Sequence, residues 1–365
     1  GPLGCPVDHR TTGAYVLTRM ADTHALEAQL LFQILPRVSR SFYLSLRILP
    51  KALRRPIGLA YLFCRAADTI ADTRILPREQ RLKCLGQYRA AFFAKDFSDC
   101  QAIQTAVQTD LVPHQENKAE RELLMHVEDC FTFLARLSLS DQARIRELVL
   151  TLTQGMQMDL TVFPNGEDGQ VGAFETRHAL DQYTYFVAGC VGEFWTKVSV
   201  DHIPSLRHWD TEEMCGLAVR FGKGLQLTNI LRDIAQDLRI GRCYLPHTDL
   251  AALGIEPTQL LRIATTEQVR PLLDELSDLT LSYYQDGWAY TQAIPIREWQ
   301  MRLACAWPLL IGASTLRLLR GSPSLLDPSV RLKIPRSRVY RLLLGSLVSV
   351  WSNRTLALHY YSLLS

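Results

Sequence analysis

The sequence predicts an all-α protein folded as one domain, and three observations predict it. Apolar residues recur at i, i+3 and i+4 in one stretch after another. Alternating strand patterns of useful length are missing. The one long turn-rich break, 163–172, has helices with apolar faces on both sides and so does not divide two cores. No repeat with a period of 20 to 50 residues is visible.

The elements follow in order. Residues 27–35 are an amphipathic lead-in, and 39–49 reads as a helix ending at Pro50. A long helix over 52–73 stops near Pro77, with Pro56 placed in its first turn, where a missing N–H is tolerated. The same periodicity predicts helices over 78–95, 119–137 and 141–161, the last started by Ser140–Asp141. Beyond the break, helices are expected over 176–199, 211–239, 258–290 and 297–320, with a weaker pattern over 337–351. The domain is taken as residues 5–365, because Gly1-Pro2-Leu3-Gly4 looks like a protease-cleavage scar.

Composition excludes several classes. Of 365 residues, 47% are hydrophobic and 21% charged, which rules out a disordered chain or a collagen-like repeat. A net charge of +3 gives no reason to expect nucleic acid. Nine scattered cysteines, an odd number without a CxxC pair, fit a reducing compartment better than a disulfide framework or zinc site. The longest apolar stretches, 304–314 and 342–351, fall short of the roughly 20 residues of a spanning helix. The second reads as a buried helix in preference to an interfacial one.

Two acidic constellations carry the chemistry. Asp68 and Asp72 lie at i and i+4, on one face of a mostly apolar helix, with Arg65 beside them. Two acids on a buried helix are costly unless something neutralises them. Asn229, Asp233 and Asp237 lie at i, i+4 and i+8 and form a slowly winding stripe, with Arg232 alongside. Asn and Asp oxygens suit hard Mg²⁺, which takes one or two carboxylates and completes its shell with substrate phosphate. Two such stripes facing each other across a cavity would hold a diphosphate through bridging ions. Asp68 and Asp72 taken alone also read as surface acids at an exposed helix end; the second stripe shifts the balance to the functional reading.

Other motifs are weak. Gly222-Lys223-Gly224 is not a P-loop, since no strand precedes it and Phe221 stands where glycine is required. GxSxG and HExxH are absent, and the nine histidines are dispersed.

Four ordered segments resemble the squalene/phytoene synthase family, the head-to-head prenyl transferases, over about residues 38–340. They are Val38-Ser39-Arg40-Ser41-Phe42; Tyr61 through Arg65 to Asp68-Thr-Ile-Ala-Asp72; Gln182-Tyr183 through Gly192; and Gln226–Asp237 followed by Gly241-Arg-Cys-Tyr-Leu-Pro246. The resemblance implies an all-α isoprenoid synthase bundle around a central cavity that binds prenyl diphosphates. It implies that Asp68, Asp72, Asn229, Asp233 and Asp237 hold Mg²⁺, with Mn²⁺ as a substitute. Arg40, Arg65 and Arg232 would contact diphosphate oxygens, and Ser39 and Ser41 would add hydrogen bonds. Tyr61, Phe42 and Gln226 would line the pocket. Tyr183 would assist proton removal during cyclopropane formation, relaying the proton to released diphosphate, since a phenol with a pKa of about 10 is a poor base alone. Small residues Ala188, Gly189 and Gly192 either leave room for a prenyl chain or allow close helix packing.

The product implied is squalene, from two farnesyl diphosphates through presqualene diphosphate with hydride from NADPH. The Asp-Thr of the first motif leans that way, as does Lys333-Ile-Pro-Arg336, which resembles a basic segment associated with NADPH use and could also be a solvated loop. Gly155-Met-Gln-Met-Asp159-Leu160 instead resembles its phytoene-type counterpart. The alternatives are a phytoene or dehydrosqualene synthase without reductant, a presqualene diphosphate synthase, and a silent prenyl-diphosphate-binding scaffold. The expected location is cytoplasmic, with peripheral contact to the inner face of a membrane allowed.

Overall fold

A computed structural model describes residues 24–39, 42–94, 100–163 and 170–363. The proposed scar at 1–4 and the site candidates Arg40 and Ser41 lie outside them. Helices dominate, as the periodicity predicts. A short π-helical turn, Gln29–Ile34, leads into α1 (Leu35–Ser39), and α2 (Tyr43–Ile48) follows. The expected helix over 39–49 is therefore two pieces. Leu49 is extended, as the residue before a proline prefers, and α3 (Lys51–Asp72) starts directly after Pro50. Pro56 sits inside α3, beyond its first turn.

Helices α4 (Arg78–Phe93) and α5 (Cys100–Asp110) come next. The span expected over 119–137 is divided at His126 into α6 (Lys118–Met125) and α7 (Val127–Leu134). Asn117 caps α6 by accepting from the N–H groups of Ala119 and Glu120. Helix α8 (Leu139–Val162) is capped by Ser138. Phe63, Phe92 and Phe131 meet with ring centroids 4.8–5.0 Å apart, forming the core between α3, α4 and α7.

After the break come α9 (Arg177–Thr184), a π turn (Tyr185–Gly189) and α10 (Cys190–His202). Helix α11 (Thr211–Arg239) is capped by the Asp210 carboxylate. Its Leu227, Ile230, Leu231 and Ile234 belong to a second core, with Val269, Leu272 and Leu276 of α13 (Thr266–Ala293). The start expected at 258 is instead two 3₁₀ turns, because Pro257 and a Glu256–Gln259 capping box close a tight turn first. Short α12 (His247–Ala252) precedes them.

Ala188, Gly189 and Gly192 serve close packing. A Cβ at Gly192 would meet the Ala218 carbonyl oxygen at 2.2 Å, and one at Gly222 the Ala188 oxygen at 2.4 Å. The backbones of these helices touch, leaving no room there for a prenyl chain.

Helix α14 (Trp299–Leu319) continues from a 3₁₀ turn, so that Ile296–Leu319 is long and apolar enough to cross a membrane. The contiguous-run reading did not show this, since Arg297, Arg302 and Arg317 interrupt it. Within it, the apolar 18-residue window is 78% buried in the protein, as a core helix would be. Two helices close over it: α15 (Arg336–Ser349) and α16 (Asn353–Tyr361). The fully buried Arg302 holds them, donating to the carbonyls of Ile294 (2.7 Å) and Val350 (3.2 Å) and to Asn353 Oδ1 (2.6 Å). The Trp307 indole N–H donates to Ser346 Oγ at 2.8 Å.

The expected burial of 342–351 is not found. Leu342 and Val350 turn inward, but Leu344, Leu347, Val348 and Trp351 are exposed. Strand structure among the described residues is one parallel two-residue bridge, β1 (Gly172–Ala173) to β2 (Arg242–Cys243).

Candidate active site

Helices α3, α8 and α11 converge on a cavity of about 370 Å³. Asp68 and Asp72 line it from α3, Asp159 from α8, and Asn229, Asp233 and Asp237 from α11. Of the other predicted residues, Tyr61, Arg65, Tyr183 and Gln226 also lie on its wall, whereas Phe42 and Arg232 border neighbouring cavities. The i, i+4 spacing delivers this, because it keeps each acid pair on one helix face while the apolar residues between them pack elsewhere.

Arg65 Nη1 donates to Asp68 at 2.7 Å, and its Nη2 lies 3.4 Å from the Tyr61 hydroxyl. Arg232 forks onto Asp233, with Nε to Oδ1 at 2.9 Å and Nη2 to Oδ2 at 2.5 Å. Burial and the neighbouring Asp72 push the Asp68 carboxyl up to about 7, against the pull of Arg65. Burial and Asp233 push Asp237 up to about 7 as well. Five carboxyls, of Asp68, Asp72, Asp159, Asp233 and Asp237, line the cavity with the guanidiniums of Arg65 and Arg242, and Arg232 pairs with Asp233 from beside it, so acids outnumber cations.

Three residues were missed by sequence reasoning: Asp159, Arg242 and Tyr244. Helix α11 ends at Arg239, and after Ile240 Gly241 turns the chain in the left-handed region (φ 80°), which glycine adopts without strain. The β1–β2 bridge then pins Arg242. Its guanidinium reaches Asp159 at 3.1 Å and Asp72 at 3.7 Å, tying α8 to α3. Burial works against the Arg242 charge, but Asp159 and its other anionic neighbours more than restore it. The Tyr244 hydroxyl donates to Asp159 at 2.7 Å, and Tyr183 stacks on Tyr244 with hydroxyls 3.5 Å apart. Burial holds the Tyr183 phenol well above its usual range, so it stays protonated at neutral pH. A hydrogen-bonded line thus runs from Tyr183 through Tyr244 to Asp159. The segment Gly241–Pro246 and the Asp159 stretch were visible in the sequence, but nothing there says that they meet.

Two further cavities meet the first along α11. One of about 850 Å³ is mainly apolar, walled by Phe42, Leu225, Tyr284, Trp307, Ile311 and Leu343, and it shares Asn229 with the first. The other, about 340 Å³, gathers Arg74, Arg232, Arg331 and Lys333 and shares Asp233 and Asp237. Phe42 stacks on Tyr61 with centroids 5.9 Å apart.

Two placements differ from expectation. Ser39 is buried and donates to the Leu35 carbonyl at 2.6 Å, so its hydroxyl is engaged in its own helix and lines none of these cavities. Lys333 and Arg336 face different cavities, Lys333 the cationic one and Arg336 the apolar one, because α15 begins between them and turns Arg336 away.

Among the described residues no three His, Cys, Asp or Glu side chains gather tightly enough to hold a metal alone. The arrangement fits Mg²⁺ that keeps water and borrows phosphate oxygens: all donors are oxygens, and under-neutralised acids face each other across the gap.

The model of the squalene/phytoene synthase family matches residues 35–338. Squalene synthase ERG9 of Gibberella zeae is 28% identical over 62% of this chain and 45% of its own length. The chain thus spans about half the length of that relative. A presqualene diphosphate synthase of Rhodopseudomonas palustris is 31% identical over 67% of this chain and 71% of its own. In overall fold the chain resembles TcSQS solved in complex with a ligand, with a TM-score of 0.73 over 92% of this chain and 91% of that one, at 21% identity.

Proposed function

Because the chain belongs to the squalene/phytoene synthase family, we propose that it condenses two prenyl diphosphates head to head, taking two farnesyl diphosphates through presqualene diphosphate to squalene. One observation carries the reading: the acid stripes of α3 and α11 line one polar cavity that shares Asn229 with a large apolar one. A substrate with a diphosphate head and a long hydrocarbon tail needs that pairing.

Asp68, Asp72, Asn229, Asp233 and Asp237 would hold Mg²⁺, which when bound supplies Lewis-acid stabilisation of the departing diphosphate. Arg65 and Arg232 present planar donor forks to diphosphate oxygens. Phe42, Trp307 and Ile311 keep water from the prenyl chain and its allylic cation. The Tyr183–Tyr244–Asp159 line gives the proton lost at ring closure a path away from carbon. Tyr183 holds its proton at neutral pH, so it moves one proton on only as it receives another. Lys333, with Arg74 and Arg331, would meet phosphates of NADPH, the hydride donor of the final step; Arg336 stands apart from that group.

A second reading stops at presqualene diphosphate, and the Rhodopseudomonas relative favours it. Product analysis decides. Farnesyl diphosphate and Mg²⁺ should give squalene only with NADPH. Presqualene diphosphate under both conditions selects the second reading, and dehydrosqualene without NADPH selects a carotenoid-type enzyme. Absence of diphosphate release under every condition would leave only a binder.

A further inference from the structure

Helix α15 is built inside out. Its inward positions include Ser346 and Ser349, while Leu344, Leu347, Val348 and Trp351 form one outward stripe. Leu344 is 63% exposed, Val348 80% and Trp351 55%. Helix α16 adds Leu358 at 64% and Tyr361. The Trp351 N–H donates to the Leu347 carbonyl at 3.1 Å, so the ring can leave water without losing a partner. An apolar patch of this kind marks an interaction surface.

Charge says which kind. From residue 328 onward the sequence holds Arg331, Lys333, Arg336, Arg338, Arg341 and Arg354 and no Asp or Glu. Residues 1–327 hold the other 34 of 40 basic residues against all 37 acids. The positive charge of this protein is therefore concentrated on the segment bearing the exposed apolar stripe. Arg341 and Arg354 are exposed beside it. A second copy docking here would set two all-basic segments against each other. Basic residues rimming Leu, Val, Trp and Tyr suit an anionic lipid surface, where a helix lies in the interface plane with its apolar face sunk among acyl chains.

We propose that α15 and α16 form a docking face for anionic lipid bilayers. Tyr340 adds a consequence that rests on the proposed function: it is exposed on this side and also lines the cavity of about 850 Å³. That cavity opens at the docking face, so an apolar product would pass into lipid without crossing water. The docking itself does not depend on the reaction.

The test is sedimentation of the full chain with vesicles of phosphatidylcholine, with and without one-third phosphatidylglycerol. Each basic residue near an anionic surface is worth about a fivefold gain in binding, so binding should be at least about tenfold tighter on the mixed vesicles and weaken with salt. The triple variant Leu344→Gln, Val348→Gln, Leu358→Gln should lose binding to both while keeping its helical circular dichroism. Replacing Arg338, Arg341 and Arg354 by Gln should erase the preference for anionic lipid. Equal partition onto both vesicle types, no partition at all, or a dimer in light scattering that the leucine–valine variant dissociates would each overturn the proposal. None of these readouts needs turnover, so failure here is distinct from failure of the proposed reaction.

Discussion

Helices α3 and α11 carry the same device, two aspartates one turn apart beside an arginine, and face different surroundings. Asp68 and Asp72 border one cavity. On α11, Asn229 also borders the apolar cavity, and Asp233 and Asp237 also border the cationic one. The arginines differ too. Arg65 binds its acid from a turn away, whereas Arg232 forks onto the adjacent Asp233. The comparison teaches that the stripes are not interchangeable: α11 is a junction and α3 is one wall of a single chamber.

The largest effect should come from the junction. Asp233→Ala is expected to abolish turnover, at least about 10³-fold, since metal charge stabilisation is worth several kcal/mol. Asp68→Ala should also abolish turnover with the helical fold intact. The two should separate in binding: calorimetry with a non-ionisable prenyl thiodiphosphate should show both sites lost in Asp233→Ala and one retained in Asp68→Ala. Equal stoichiometry would break the comparison, and near-normal activity in either variant would end the metal assignment. Next, Tyr183→Phe should slow single turnover by about 100-fold with substrate affinity little changed, the usual scale for a positioned proton-transfer group. An unchanged single-turnover rate removes Tyr183 from the chemistry.

Arg242 spans the two sides. Arg242→Ala leaves Asp159 buried without its cation, and breaking such a pair costs about 3 kcal/mol. Urea unfolding should show it, and adding Asp159→Asn should recover part of the loss. The smallest effect is protonic. Asp68 and Asp237 stand at about 7, above the ordinary carboxylate value of 3.8. The folded metal-free chain thus holds protons that the unfolded chain releases, and these two groups make it less stable as pH rises from about 4 through 7. Binding Mg²⁺ must displace them, so affinity should rise with pH up to about 7, no more than about tenfold per unit for each proton, and then level off. Calorimetry in buffers of different ionisation enthalpy counts the protons. Asp68→Asn and Asp237→Asn should each remove one.

The acid stripes were legible in the sequence because both lie within single helices, where spacing alone decides the face. Asp159, Arg242 and Tyr244 were not, because a glycine turn and a two-residue bridge bring them together from distant segments. Helices α5 and α16 escaped the periodic reading. α16 buries only Leu356 and Tyr360, too few positions to show a repeat. The C-terminal stretch misled for a related reason. Apolar content at 342–351 suggested burial, but Ser346 and Ser349 turn inward with Leu342 and Val350, while Leu344, Leu347 and Val348 are left outside.

The latch at Arg302 has a consequence for how the molecule is made. Its partners Val350 and Asn353 follow Asp237 in the sequence, so they are synthesised after every acid of the cavity. Until they arrive, the segment Ile296–Leu319, greasy enough to be taken for a membrane anchor, stands partly bare. The nascent polypeptide is therefore sticky until α15 and α16 have been made, and a truncation that drops these two helices should give inclusion bodies rather than a smaller soluble protein.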